Sequence, residues 1–413
     1  MYTASQLLDK INSHISDIRF TRTPVGLYDP IKYVLSMGGK RIRPVLMLMA
    51  YNLYKEDVSS IYDPATAIEV YHNYTLLHDD LMDRADMRRG KTTVHKVWND
   101  NTAILSGDAM LVLAYQYMAA SSSEHLKEVM DLFSLTALEI CEGQQMDMNF
   151  ESREDVKEEE YLEMIRLKTA VLLAASLKIG AILGGASPED AENLYDFGMQ
   201  IGVAFQLQDD LLDVYGDPAV FGKNIGGDIL CNKKTYMLIK ALERADRDQL
   251  EGLNHWLSAT SFCPEEKISA VTELYTQIGI KAVCENKMRE YYTRAMTSLG
   301  AVSVIEDKKS ELKKLMKHLM YREMPYRRLP NTDQARIRAL KTAVVKGDMC
   351  DVYDLPVSLK TLGEARIFLS KFETAHSYYV HCYGEQSRNS KKHQANVKTA
   401  RLYISHFIQV LNL

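Results

Sequence analysis

The chain has 413 residues, of which 46% are hydrophobic and 25% charged, more than one average domain of about 150 residues explains. That balance excludes a disordered chain and allows a large core. The net charge of −5 is uneven: residues 326–413 hold 14 Lys and Arg against 7 Asp and Glu, which leaves the first 325 residues at −12. A split of this kind suggests two modules with different partners, and no nucleic acid is expected among them.

Gly and Pro are sparse, and helix-forming Leu, Ala, Met, Glu and Lys abound. Residues 4–20 carry Leu7, Leu8, Ile11, Ile15 and Ile18 at helical spacing. Pro24, Gly26 and Pro30 break the chain, and a second helix is expected to start near Asp29. Gly38 and Gly39 interrupt it. Helical runs are then predicted over 45–54, 64–83, 101–120, 125–149, 159–183, 188–215, 232–245, 265–298 and 304–321. Strand alternation and hairpin signals are missing, so the pattern predicts an all-α fold. Pro325 and Pro330 mark a boundary near residue 325, with further helical stretches at 332–346, 361–380 and 393–411. No run of 18 apolar residues occurs, and the N-terminal stretch mixes charged with apolar residues, unlike a signal peptide or a membrane span. The six cysteines form no Cys-x-x-Cys pair, which reads as a reduced, cytoplasmic protein.

Two segments carry Asp-Asp-x-x-Asp inside apolar helical runs: Asp79, Asp80 and Asp83, then Asp209, Asp210 and Asp213. Positions i and i+4 share a helix face, so Asp79 projects with Asp83 and Asp209 with Asp213. One such motif could be a solvated acidic face. Two of them among Leu76, Leu77, Leu81, Phe205, Leu207 and Leu211 are expensive unless they bind something. A few hard oxygen ligands, with water and phosphate completing the sphere, is how Mg2+ is held. Cations accompany the acids: Lys40, Arg41 and Arg43 after the double glycine, Arg88 and Arg89 before Gly90, then Lys168, Lys223, Lys233 and Lys234. Taken singly, each reads as a surface charge. Together with the acidic motifs they suggest a metal with phosphate. No Gly-rich nucleotide fingerprint is present, so the phosphate is not expected to belong to a nucleotide.

The runs GGKRIRP, HNYTLLHDDLMD, RRGKTTVH, GQQMD, LKTAVL, FQLQDDLLDVYGD, GKNIGGDI and NKKTYM, in that order, resemble the trans-isoprenyl diphosphate synthase family (polyprenyl synthetases) over roughly residues 5–322. The resemblance implies a helical bundle around a deep central cavity, a homodimer, and two aspartate-rich motifs facing each other across the cavity mouth. It implies that Asp79, Asp83 and Asp209 hold Mg2+, three ions with substrate bound, and that Asp80, Asp210 and Asp213 complete or support that shell. Arg88, Lys168, Lys223 and Lys233 would bind an allylic diphosphate (dimethylallyl, geranyl or farnesyl). Lys40, Arg43, His72 and Arg89 would bind isopentenyl diphosphate, and Thr169 and Gln206 would line the place where positive charge develops. The implied reaction is head-to-tail condensation of the two substrates. It needs metal and cation electrostatics and no Ser, Cys or His nucleophile. The family often has Pro where Thr92 stands, a departure that at most loosens that loop.

Tyr74, five residues before Asp79, and its neighbour Thr75 should lie beside the growing hydrocarbon. In the family a bulky aromatic here floors the cavity, so the resemblance implies a fifteen- or twenty-carbon product, farnesyl or geranylgeranyl diphosphate. The alternative is that Tyr74 only packs in the core and longer polyprenyl chains grow past it. Met110, Leu111 and Tyr115 could also set the depth. A terpene cyclase is a second alternative, but Lys40, Arg43 and His72 would have no purpose in one. A non-catalytic partner subunit is a third, and the six intact aspartates argue against it.

Residues 326–413 resemble nothing in that family. Arg388, Lys391, Lys392, Lys398 and Arg401 form a modest basic patch, and a small basic three-helix module is expected. It would have a solvated face or, alternatively, a peripheral contact with a membrane or an acidic partner.

Overall fold

The computed structural model describes residues 1–216 and 225–320, and beyond these residues 341, 366, 367, 369–371 and 374. The chain divides into two compact units, Met1–Met320 and Tyr321–Leu413. The C-terminal helices expected at 332–346, 361–380 and 393–411, and the basic patch, lie outside the described residues.

The first unit is an all-α bundle. Its helices are α1 (Ala4–Ser16), α2 (Val25–Ser36), α3 (Ile42–Asn52), α4 (Tyr62–Met82), α5 (Val94–Val97), α6 (Asp100–Met118), α7 (Leu126–Glu151), α8 (Glu158–Ile165), α9 (Val171–Gly184), α10 (Pro188–Tyr215), α11 (Gly227–Leu230), α12 (Tyr236–Arg244), α13 (Arg247–Ser258), α14 (Pro264–Ile278), α15 (Ile280–Ala301) and α16 (Glu306–Met320). At the centre, α9 is buried on every side, with Lys178 alone among its residues reaching out of the core. A helix apolar all round belongs in the middle of a large protein. The span Glu158–Gly184 is long and apolar enough to cross a membrane, but 83% of its apolar window is buried inside the protein, as in a core helix.

Small residues let the central helices approach one another. A Cβ on Gly180 of α9 would sit 2.2 Å from the Met47 carbonyl of α3, and one on Gly198 of α10 would sit 2.6 Å from Ala174 Cα of α9. Around this core, α4 packs on α3 and α6, α15 on α10, and α1 on α3 and α4.

Several boundaries differ from the spacing. Helix α2 begins at Val25 and runs through Gly26 and Pro30, because Pro30 is buried and packing outweighs one missing hydrogen bond. The run expected over 265–298 is two helices, divided at Gly279, whose φ of 81° ends α14 in the left-handed conformation. Helix α13 was hidden from hydrophobic spacing by its single buried residue, Leu253. Its capping box, Asp246 with Gln249, marks its start instead. The run over 159–183 contains a π turn at Arg166–Ala170. A two-residue antiparallel pair, β1 (Met87–Arg88) and β2 (Lys91–Thr92), also departs from the strandless expectation.

Candidate active site

Both acidic motifs sit in the C-terminal turns of long helices, the first in α4 and the second in α10. Carboxylates at a helix C-terminus face the negative end of the macrodipole. Three of them per helix end are stable only where cations answer them.

The protein supplies some of those cations. Arg88 Nε donates to Asp80 Oδ1 at 2.8 Å, and Arg88 Nη2 lies 3.3 Å from Asp79 Oδ2. The turn between β1 and β2 makes this possible. Arg89 and Gly90 both have positive φ, 53° and 75°, the twist that a two-residue hairpin needs. It sends Arg88 toward α4, while Arg89 donates to the Gly38 carbonyl. Gly39 suits the place, since its φ of 138° is one that L side chains rarely adopt, and a Cβ would also displace the Arg89 guanidinium.

Lys168 occupies the π turn, a distortion that recurs at functional sites. Its Nζ lies 2.7 Å from Asp147 and 3.5 Å from Asp79. Lys233 approaches the same Asp147 at 3.7 Å. Glycines clamp the π turn from two sides: a Cβ on Gly143 of α7 would meet Lys168 N at 2.4 Å, and one on Gly202 of α10 would meet Ala170 Cα at 2.4 Å. Burial alone would raise Asp147, but Lys233 and Lys168 outweigh it and hold the carboxyl below its ordinary range. Burial likewise works against the Lys233 ammonium, yet Asp147, Asp228, Asp210 and Asp79 keep it protonated and raise its pKa. Lys233 thus feels carboxylates of both motifs.

The third cation group follows the double glycine. Arg43 Nη1 donates to His72 Nε2 at 3.2 Å, so His72 accepts there as a neutral ring. Burial, then Arg43, Arg89, Arg88 and Arg41, push His72 well below its usual value. Burial lowers Arg43 to about 10, against the pull of Glu69 and Asp209. Arg43 Nε is a buried donor without a hydrogen-bond partner. Lys40 lies in the loop joining α2 to α3.

Between the two helix ends, Thr169 Oγ1 donates to Gln206 Oε1 at 3.1 Å, and Gln206 Nε2 donates to Asp210 Oδ1 at 3.2 Å. Asp210 is buried and also accepts from the Tyr161 hydroxyl. Burial and Asp228 raise its pKa despite those two donors. Asp213 accepts from the Asp228 amide at 2.9 Å. Lys223 lies outside the described residues.

The donor set fits a divalent cation. Asp80 is committed to Arg88, and Asp210 to Tyr161 and Gln206. Asp83 is raised by partial burial and by its neighbour Asp79, a repulsion that a cation would relieve. Among the described residues no three His, Cys, Asp or Glu side chains form a ready-made cage. Asp79 and Asp83, four residues apart at the end of α4, would supply the one or two carboxylates that Mg2+ takes, with water and phosphate completing its sphere.

Tyr74 lies on α4 about 7.5 Å below Asp79 by helix rise, with its ring edge-on to Tyr71 at 5.5 Å and to His78 at 4.9 Å. Cys141 of α7 and Asp108 of α6 are near its hydroxyl. Phe133 stacks edge-on with Tyr71 and Tyr115, extending the aromatic layer. Thr75 turns its hydroxyl back to the His72 carbonyl at 2.8 Å.

Spacing alone did not single out Asp147, Tyr161 or Glu69. Asp147 ends the GQQMD run, which was a usable signal. Tyr161 and Glu69 are isolated within helical stretches and carry no pattern.

An all-α bundle that sets two acidic helix ends among arginines and lysines is built to handle a polyanion with a metal. The chain belongs to the polyprenyl synthetase family, whose model matches residues 24–275. Members of this family depend on Mg2+ in general. The chain is 42% identical over 236 residues to a geranylgeranyl diphosphate synthase of Methanosarcina mazei, covering 57% of this chain and 73% of that one. It is 41% identical over 272 residues to a short chain isoprenyl diphosphate synthase of Methanothermobacter thermautotrophicus, covering 66% and 82%. A crystal structure of a geranylgeranyl pyrophosphate synthase matches with a TM-score of 0.74 and 41% identity, over 78% of this chain and 99% of that one.

Proposed function

We propose that the protein is a prenyltransferase that condenses isopentenyl diphosphate with an allylic diphosphate to give a short-chain all-trans prenyl diphosphate, most simply geranylgeranyl or farnesyl diphosphate. The observation that carries this reading is the pairing of two acidic helix ends with cations of two kinds: Arg88, Lys168 and Lys233, which contact the site's carboxylates, and Arg43 and Arg89, which do not, with neutral His72 accepting from Arg43. One diphosphate needs one such group; two substrates need two. The relatives at about 40% identity, named for geranylgeranyl and short-chain synthesis, support the product class.

In this reading Asp79, Asp83 and Asp209 would hold Mg2+, three ions with substrate bound, while Asp80, Asp210 and Asp213 would complete or support that shell. When bound, the metal supplies Lewis acidity to the leaving diphosphate. Lys168 and Lys233 exchange their contact with Asp147 for the allylic diphosphate, and Arg88 steadies it from the hairpin. Lys223 joins them. As the allylic C–O bond breaks, positive charge spreads over the allyl carbons, and the oxygens of Thr169 and Gln206 stabilise it. Arg43, Lys40, His72 and Arg89 orient isopentenyl diphosphate so that its double bond attacks the cation. The departed diphosphate takes the proton released from the new chain. The apolar lining near Tyr74 excludes water from the cation, and the Tyr74 layer limits the chain.

A homodimer is the assembly this reading favours. Leu105 and Val112 of α6 and Leu135 and Leu138 of α7 are exposed apolar side chains that a second copy could cover.

Replacing Asp79 or Asp209 with Ala tests the assignment. Mg2+-dependent turnover should fall by about a thousandfold or more, with helical circular dichroism intact. Retained turnover would refute it.

A further inference from the structure

Arg41 lies between two residues of the proposed isopentenyl diphosphate site, Lys40 and Arg43, yet its own side chain is taken up by partners within the fold. It is buried, at 6% exposure, with a left-handed backbone at φ 47°. Bulky residues adopt that conformation only where their surroundings dictate it. Three groups do so. Arg41 Nη1 donates to Glu69 Oε1 at 2.5 Å, Nη2 to the Leu35 carbonyl at 2.8 Å, and Nε to Asn12 Oδ1 at 3.5 Å. Glu69, at 2% exposure, also accepts from Asn73 at 2.7 Å.

The Leu35 carbonyl belongs to the last turn of α2, and Glu69 belongs to α4 one turn before His72. One side chain therefore ties together the end of α2, the double-glycine loop and α4. Arg89 completes the junction through the Gly38 carbonyl. Glu69 is also a buried anion felt by Arg43 and Arg89. A cluster of guanidinium groups awaiting an anion repels itself, and a buried carboxylate among them offsets that repulsion.

We propose that the Arg41–Glu69 pair is a positioning element for the second-substrate site: it fixes the left-handed turn that aims Lys40 and Arg43 at one diphosphate, and Glu69 acts as the resident counter-ion of that cation cluster. Neither residue touches substrate. The proposal rests on the reading of Lys40, Arg43, His72 and Arg89 as the isopentenyl diphosphate site.

The test uses the full chain and steady-state kinetics with each substrate varied in turn. The double variant Arg41→Met/Glu69→Gln removes both buried charges together, so no lone charge is stranded, and nearly keeps the volume. Its Tm should stay near the parent's. Its KM for isopentenyl diphosphate should rise about tenfold, with the allylic KM within about twofold. Arg41→Lys, whose single ammonium cannot span the same acceptors, should fold and show a smaller rise in the same KM. Arg41→Gly accepts the left-handed turn but loses the anchor and strands Glu69, so its KM for isopentenyl diphosphate should rise as in the double variant while its Tm falls. A folded double variant or Arg41→Lys with parental KM for isopentenyl diphosphate would overturn the proposal, as would equal rises in both KM values. Arg43→Gln separates the two levels of the argument. If it raises that KM while the Arg41 variants do not, only the positioning role fails. If it leaves that KM unchanged, the site reading fails and the proposal with it.

Discussion

Truncating Tyr74 to Ala is the sharpest perturbation of product length. The substitution removes about seven heavy atoms beyond Cβ, which at interior packing density makes room for roughly one five-carbon unit. The ring is partly buried against Tyr71 and His78. Full burial would make the truncation cost about 3–5 kcal/mol, so a half-buried ring loses about 2 kcal/mol, or about 4 °C in Tm. The assay is product sizing by mass spectrometry with isopentenyl diphosphate and farnesyl diphosphate, alongside a thermal melt. The dominant product should lengthen by one five-carbon unit while condensation continues. A melt lowered as expected with an unchanged product would show that Tyr74 does not limit the chain, because the space would have opened and the chain would not have used it.

Gly143→Ala drives a Cβ to 2.4 Å from the backbone nitrogen of Lys168; it should cost about 1–3 kcal/mol of stability and raise the allylic KM more than the isopentenyl diphosphate KM, measured by thermal melts and kinetics. His72 is held neutral in the fold, well below its ordinary 6.5. The unfolded chain therefore binds a proton that the folded chain refuses, so stability present above pH 6.5 is lost as pH falls below it. Denaturant titrations at pH 7.5 and 5.5 should show His72→Asn losing about 1 kcal/mol less than the parent over that interval.

The fold class and the two acidic motifs were legible because both rest on periodicity: apolar residues at helical spacing, and carboxylates that share a face. The details that shape the site were less so. The hairpin that separates Arg88 from Arg89 is set by positive φ at a residue, Arg89, whose type gives no turn signal. The π turn under Lys168 packs against Gly143 and Gly202, neighbours distant in sequence that no local pattern records. Arg41 reads in the sequence as one more cation of a basic run; only its partners, Glu69 and the Leu35 carbonyl, reveal that it faces inward. Asp147 stood in view at the end of GQQMD, and its meaning came from the two lysines that converge on it.

Condensation itself is the property to measure. The purified chain is given isopentenyl diphosphate, Mg2+ and, in turn, dimethylallyl, geranyl and farnesyl diphosphate, and the products are sized by mass spectrometry. Mg2+-dependent products ending at fifteen or twenty carbons are the predicted result. Products running to forty carbons would contradict the Tyr74 limit, and no condensation with any primer would contradict the account as a whole.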